Sequence, residues 1–88
     1  MTFRIPPHVE FRVAHDEIVL LDLRADAYVA LNPSASLVWA MLVDGESLPD
    51  AIDALATRFG IERDVAAGDV VALVDDFVAR GILDRVDE

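Results

Sequence analysis

The hydrophobic period of this chain changes at Asn32, and that change limits the fold more than any other feature. Before it, His8–Ala14 alternates apolar and polar side chains, as a half-buried strand does. Ile18–Leu23 is apolar on both faces, which favours a central strand, and Ala27–Leu31 forms a short third strand. Turn residues separate the segments. The sequence therefore predicts an antiparallel meander whose first and third strands are edges.

Beyond that point, apolar residues recur at helical spacing. Ser34–Val43 is a first helix, Ser47 is the N-cap of a second helix that Gly60 ends, and Arg63–Arg80 is a third. Ile82–Arg85 is left as a short tail. The prediction is an α+β fold of winged helix-turn-helix type, with a three-stranded antiparallel sheet followed by three helices.

Length and charge restrict what the chain can bind. A chain of 88 residues supports one modest core, so residues 1–88 are predicted to form a single domain. Apolar residues make up 55% of it, and so small an interior is expected to leave an apolar patch exposed as a binding surface. Seventeen acidic residues against seven Lys and Arg give a net charge of −10, which argues against nucleic acid as a partner.

Cysteine usage and the apolar runs predict a cytoplasmic protein. There is no cysteine, hence no disulfide framework and no thiolate nucleophile, in agreement with a reducing compartment. The start of the chain lacks the apolar core of a signal peptide. The longest apolar run, Leu37–Val43, is too short to cross a bilayer, so no membrane partner is expected.

The residues that could carry chemistry are few. His8 and His15 flank the first strand without an accompanying Ser or Cys motif, so we predict no catalytic residue and no enzyme activity. Asp75 and Asp76 are helical neighbours that point roughly 100° apart, which favours a solvated face over a shared site. The remaining acidic residues match no metal-ligand pattern, so neither a metal nor a cofactor is expected.

The third predicted helix has a wide apolar arc. Seven apolar side chains cover about 160° of its circumference. They are Ala67, Val70, Val71, Leu73, Val74, Phe77 and Val78. One edge of the arc can pack on the core while the other lines a groove beside the third strand, with Asp69, Asp76 and Arg80 as a polar border. The alternative is a helix that is fully buried in a compact core.

The third predicted strand can supply the other half of that groove. An edge strand presents unpaired N–H and C=O groups, and Ala27–Leu31 has no Lys, Pro or Gly to block pairing. A peptide can therefore add to it as a further strand, and an acidic border favours a peptide with Lys or Arg. Alternatively, the chain's own tail or a second copy covers this edge. Trp39 is predicted to be core, whereas the Tyr28 ring lies either against the third helix or in solvent.

An ordered series of short segments links the chain to a known family. The segments are Asp16–Asp22, Ala27–Asn32, Ala35, Trp39, Asp44–Ser47 and Asp69–Leu83. The series resembles the small peptide chaperones of pyrroloquinoline quinone biosynthesis, the PqqD-like recognition elements of ribosomally made peptides. It resembles still more closely their freestanding relatives in lasso-peptide biosynthesis. The resemblance extends over nearly the whole chain from Val13 onward.

The resemblance implies a peptide-binding role. The leader segment of a ribosomally made precursor peptide would dock antiparallel to the third strand, in a cleft closed by the third helix. It would then be delivered to a separate enzyme, a cysteine leader protease in lasso systems, with a leader Tyr and a leader Pro in apolar pockets. By position, the resemblance assigns peptide binding to Tyr28, Val29, Ala30 and Leu31 at the strand edge, to Val70, Leu73, Val74 and Phe77 as the groove wall, and to Asp69 and Asp76 at the rim.

Two details of that assignment affect its tests. Many relatives have Gly in the turn before the tyrosine, whereas this chain has Arg24–Ala27, so the pairing register stays open. If the groove wall is exposed, Leu73→Asp or Val74→Asp should abolish peptide binding without unfolding the domain.

Three other functions remain as alternatives. The chain could be a chaperone for a radical SAM enzyme in quinone-cofactor biosynthesis. It could be a winged-helix regulatory or dimerisation module, although Arg63 and Arg80 lie at opposite ends of the third helix. It could be an acyl carrier protein, but Pro33–Ser36 lacks the Asp-Ser-Leu motif that carries phosphopantetheine.

Overall fold

The structure, a computed structural model, describes residues 2–86. Within them the chain forms, in order, β1 (Thr2–Arg4), β2 (Val9–Ala14), β3 (Glu17–Asp22), β4 (Ala27–Leu31), α1 (Pro33–Val43), α2 (Leu48–Phe59), α3 (Arg63–Ala79) and β5 (Asp84–Val86).

β2, β3 and β4 form the predicted antiparallel meander, in the order β2-β3-β4. A short loop, His15 and Asp16, joins β2 to β3, and His15 adopts a left-handed conformation with φ 58°. The central strand β3 buries Ile18 and Leu20. The α+β class and the central position of the second predicted strand are confirmed.

The caps of the first two helices are also as predicted. Asn32 Oδ1 accepts the Ala35 N–H at 2.8 Å at the start of α1. Ser47 Oγ accepts the Asp50 N–H at 3.1 Å at the start of α2, and Gly60 ends that helix in the left-handed region with φ 64°. Local sequence therefore sets where the helices begin and end.

A second sheet, β1 paired with β5, was not predicted. Its register pairs Thr2 with Val86 and Arg4 with Asp84, so it joins segments near the two ends of the chain. The predicted tail is in fact part of the structure, because Ile82 and Leu83 are fully buried just before β5. Strands of three residues give no periodic signal, and their pairing depends on contacts across almost the whole sequence.

The core lies between the three-stranded sheet, the helices and the β1-β5 pair. Trp39 is completely buried, as predicted, and its Nε1–H donates to the Ile82 C=O at 3.4 Å. The Phe11 ring packs edge-on against it, with ring centroids 5.0 Å apart. This packing holds β2 and the β5 end of the chain against α1.

Candidate functional site

The backbone N–H and C=O groups of β3 point alternately to β2 and to β4. Two hydrogen bonds establish which residues of β3 point to each neighbour. In an antiparallel pair, the N–H and C=O of one residue point to the same side, and the side alternates along the strand. The Leu23 N–H donates to the His8 C=O at 2.7 Å, on the β2 side. The Ile18 N–H donates to Ser36 Oγ at 2.8 Å, on the β4 side. Odd-numbered positions of β3 therefore face β2, and even-numbered positions face β4.

Ser36 closes the β3-β4 pairing at the end next to α1. Its hydroxyl accepts the Ile18 N–H and donates to the Leu31 C=O at 3.1 Å, so both backbone groups are satisfied through one buried side chain. The register places Leu31 opposite Ile18 and Val29 opposite Leu20. The backbone groups of Leu31 and Val29 therefore point inward, to β3.

Tyr28 and Ala30 consequently direct their N–H and C=O groups to the free edge of β4. Among the described strands, β4 has β3 as its sole partner. Tyr28 is 76% exposed, so its ring lies in solvent on the outer face of the sheet and not against α3. Val29 is half-buried and Leu31 is buried, because their side chains face the core. The four predicted strand residues thus divide into two with open backbone groups and two that anchor the strand.

A cavity of about 520 Å³ opens next to the start of α1, just beyond the end of β4. Its lining comes from three helices and the loop after α2. The lining residues are Ser34, Leu55, Phe59, Ile61, Asp69, Ala72, Leu73 and Asp76. The cavity therefore lies between α3 and the start of α1, which follows β4 in the chain, and its wall is mainly apolar.

The predicted groove wall on α3 is divided between surface and core. Leu73 lines the cavity and is partly exposed. Val70, Val74 and Phe77 have exposures of 0%, 4% and 1%, so they are core residues, and none of them lines this cavity. The expectation that these three side chains line an open groove is corrected. The wide apolar arc exists because α3 packs against several elements, and any effect of these three residues on a ligand must act through the backbone of α3 and through Leu73.

The two predicted rim residues both line the cavity, but only one of them forms an ion pair within residues 2–86. Asp76 pairs with Arg80 one helical turn later, with Oδ2 3.0 Å from Nε. Asp69 forms no ion pair with any residue in 2–86. Asp75 points elsewhere and binds Arg85 at 2.6 Å, which confirms that Asp75 and Asp76 do not share a site. Asp69 is therefore the carboxylate at the cavity that is most available to a cationic ligand.

Five lining residues were not anticipated from the sequence: Ser34, Leu55, Phe59, Ile61 and Ala72. Phe59 fits the apolar period of α2, which made it look like core, yet it is 41% exposed at the last turn. Its position directly before Gly60, where the helix ends, was the available signal.

The remaining chemistry of the described residues is sparse. Within residues 2–86, no group of three or more His, Asp or Glu side chains could hold a metal ion. His8 is tied into the fold, with Nε2 3.0 Å from the Gly81 C=O. None of the described helices combines the length and the apolar character needed to cross a membrane.

Comparison with known proteins identifies a family and two solved structures that are similar to this chain. The family model of coenzyme PQQ synthesis protein D (PqqD) matches residues 17–83. One similar structure is a lasso peptide synthetase B1 complexed with the leader peptide, which has 32% sequence identity to this chain and a TM-score of 0.88. The match covers 97% of this chain and 100% of the synthetase chain. TbiB1 in complex with the TbiA(beta) leader peptide shares the fold at 22% identity, with a TM-score of 0.85 and coverage of 97% and 99%. No curated protein is significantly similar in sequence.

Proposed function

This chain belongs to the PqqD family, and from that premise we propose that it binds the leader segment of a ribosomally made precursor peptide by strand addition to β4. The observation that carries the proposal is the open edge of β4, where the backbone groups of Tyr28 and Ala30 have no partner among the described strands. The apolar cavity at Ser34 and Leu73 lies beyond the end of that strand. Support comes from the 32% identical lasso peptide synthetase B1, which was solved with a leader peptide.

The geometry of β4 indicates how such a peptide lies. A strand antiparallel to β4 starts opposite Leu31 and runs toward Ala27, so residues that precede its paired segment reach the cavity at Ser34 and Leu73. Alternate side chains of the paired segment face either the cavity side or the outer face that carries Tyr28. An apolar side chain is therefore expected in the cavity, directly before the paired segment.

Charge gives the proposed site a preference. Asp69 lies at the cavity without an ion-pair partner in the described chain, and the protein has a net charge of −10. A leader with Lys or Arg near the cavity gains in association rate and in orientation, more than in affinity. Val70, Val74 and Phe77 contribute by fixing the position of α3, and Val29 and Leu31 by anchoring β4.

Delivery to an enzyme is the second part of the proposal. The bound leader is presented to a separate maturation enzyme, which in a lasso pathway is a cysteine leader protease. Similarity to a lasso peptide synthetase B1 favours this partner. The PqqD family description favours the second candidate, a peptide chaperone for a radical SAM enzyme in pyrroloquinoline quinone biosynthesis. No catalytic role is proposed for this chain.

The binding test is fluorescence polarisation of a labelled leader from the open reading frame nearest this one, titrated with purified protein. Ala30→Pro removes the outward N–H of β4 and leaves the bonds to β3 intact, because proline is tolerated at an outward edge position. It should weaken binding at least about tenfold, through one lost hydrogen bond and steric obstruction by the ring.

The matched control is Ala30→Thr, which keeps the N–H and places a strand-favouring side chain at an exposed position. It should bind like the wild-type protein. Circular dichroism must show both variants folded. Wild-type affinity in a folded Ala30→Pro protein would rule out strand addition at this edge.

Delivery is tested by steady-state cleavage of the precursor with a purified cysteine leader protease of a lasso pathway. Addition of this chain should lower the KM for the precursor, and addition of Ala30→Pro should not. If the chain binds the leader but leaves cleavage unchanged, the protease is the wrong partner, and a radical SAM enzyme becomes the enzyme to assay.

A further inference from the structure

The other edge of the sheet, β2, also lacks a second partner among the described strands. By the alternation established for β3, Glu10 and Arg12 turn their backbone groups to β3, while Phe11 and Val13 turn theirs outward. The Val9 N–H is already used in a turn, at 3.1 Å, but its C=O is on the same open side. β2 therefore presents backbone donors and acceptors centred on Phe11.

The side chains of β2 are symmetric in chemical type about that centre. The strand reads Val9, Glu10, Phe11, Arg12, Val13. In an antiparallel pair of two copies centred on Phe11, each Glu10 lies opposite the other copy's Arg12, and each Val9 lies opposite a Val13. Opposite charges directly across a strand pair stabilise it and like charges destabilise it. A shift of two residues in either direction would place Glu10 opposite Glu10 or Arg12 opposite Arg12, so the charges specify one register.

An apolar surface accompanies this edge. Phe11 is 44% exposed and Val13 is 65% exposed. Two cavities adjoin each other along β2 and α1, sharing Ala40. The first is lined mainly by apolar residues that include Ile5, Trp39, Met41 and Val43. An apolar surface next to a free strand edge is characteristic of an interface.

The two ends of this surface differ in charge. The cavity beside Phe11 also has Asp44 and Glu46 in its lining, whereas the cavity beside Val13 contains both Arg58 and Asp16, which pair with each other at 3.7 Å. A two-fold axis through Phe11 reverses the direction of the second copy, so the acidic end of one copy lies toward the Arg58–Asp16 pair of the other and not toward a second acidic end. The contacts that act against the repulsion between two chains of net charge −10 are therefore the two Glu10–Arg12 pairs.

We infer that β2 is a self-complementary edge through which two copies of this chain associate. The two sheets join into one continuous antiparallel sheet, with β2 next to the β2 of the partner copy. Both β4 edges stay at the outer ends of that sheet, so the association is independent of the peptide site and does not rest on the proposed function.

The experiment is sedimentation equilibrium of the full chain over a range of concentrations up to about 1 mM, the regime in which weak association is measurable. The wild-type protein should show a reversible shift from the 9.6 kDa monomer to twice that mass. Glu10→Arg and Arg12→Glu each place like charges opposite one another at two positions of the pair. Each should raise the dimer dissociation constant by roughly tenfold or more.

Two experiments that should restore dimerisation distinguish this interface from any other. The double variant Glu10→Arg, Arg12→Glu exchanges the charges and keeps the symmetry, so it should dimerise like the wild-type protein. An equimolar mixture of the two single variants should form a heterodimer, because each supplies the charge that the other lacks. A wild-type chain that stays monomeric throughout, or single variants that dimerise as well as the wild-type protein, would overturn the inference. Leader titrations distinguish this from failure of the proposed function, because the single variants should bind leader with unchanged affinity.

Discussion

The two sides of α3 both carry apolar side chains but lie in different environments. On one side, Val70, Val74 and Phe77 are completely or almost completely buried. On the other, Leu73 and Asp69 line an open cavity. Leu73 and Val74 are adjacent in sequence and both apolar, yet one belongs to the surface and the other to the core. The difference shows that an apolar arc on a helix marks what can be buried, and that the neighbouring elements decide what is buried.

The largest expected effect is on the buried side. Val74→Asp places a carboxylate where the side chain is 4% exposed. An uncompensated buried charge costs about 3–5 kcal/mol, which is comparable with the whole stability of a small domain. We expect the variant to lose most of its helical circular dichroism signal and its cooperative thermal transition. This reverses the expectation from the sequence, which treated position 74 as groove. A folded Val74→Asp protein would mean that α3 can turn this face outward.

The matched change on the open side is Leu73→Asp. The residue is only partly buried, so the protein should stay folded, with a loss of about 1 kcal/mol or less in the free energy of unfolding. Leader binding should weaken by roughly tenfold to a hundredfold, because a contact that buries an apolar side chain is lost. Fluorescence polarisation and urea denaturation measured on the same sample test both statements. Unchanged affinity would remove this cavity from the proposed site.

A smaller effect separates the two rim carboxylates. Asp69→Asn should weaken binding of a leader that contains Lys or Arg by about twofold to fivefold at low salt, because exposed charge pairs contribute up to about 1 kcal/mol. Asp76→Asn should change it less, because Arg80 already neutralises that carboxylate. Polarisation titrations at low and high salt provide the comparison, and the difference should disappear in high salt. Equal effects of the two variants would contradict the assignment of Asp69 as the available charge.

The smallest effect is expected at Val71, which belongs to the predicted apolar arc but is 55% exposed and does not line the cavity that contains Leu73 and Asp69. Val71→Ser should change the free energy of unfolding by about 0.5 kcal/mol or less and leave leader affinity unchanged. Chemical denaturation together with one leader titration is sufficient. A large loss of stability or of leader affinity would show that the exposed part of the apolar arc at Val71 also contributes to packing or to binding.

Much of the fold could be predicted because local sequence specifies it. The alternation in β2, the caps at Asn32 and Ser47, and the left-handed stop at Gly60 each act within a few residues. The pairing of β1 with β5 could not be predicted, since neither three-residue strand has a period and the partners are separated by most of the chain.

The candidate site was predictable in outline. The open edge followed from a third strand without blocking residues, and the rim followed from the positions of Asp69 and Asp76 on a helix. The lining by Phe59 and Ile61 could not be predicted, because it depends on how the end of α2 lies against α3. Their peptide-binding role, and that of the residues predicted from the sequence, stays a prediction for the titrations to decide.

The sequence by itself determined the order from β2 to α3, the caps of α1 and α2, and the symmetric charge pattern of β2, because periods, caps and residue types act locally. Tertiary structure alone decided that Tyr28 and Ala30 hold the open backbone groups of β4, through the Ser36 bridge between Ile18 and Leu31. It also decided which apolar residues of α3 are core. Both outcomes depend on contacts between segments that are distant in sequence, and burial and hydrogen-bond direction are properties of those contacts.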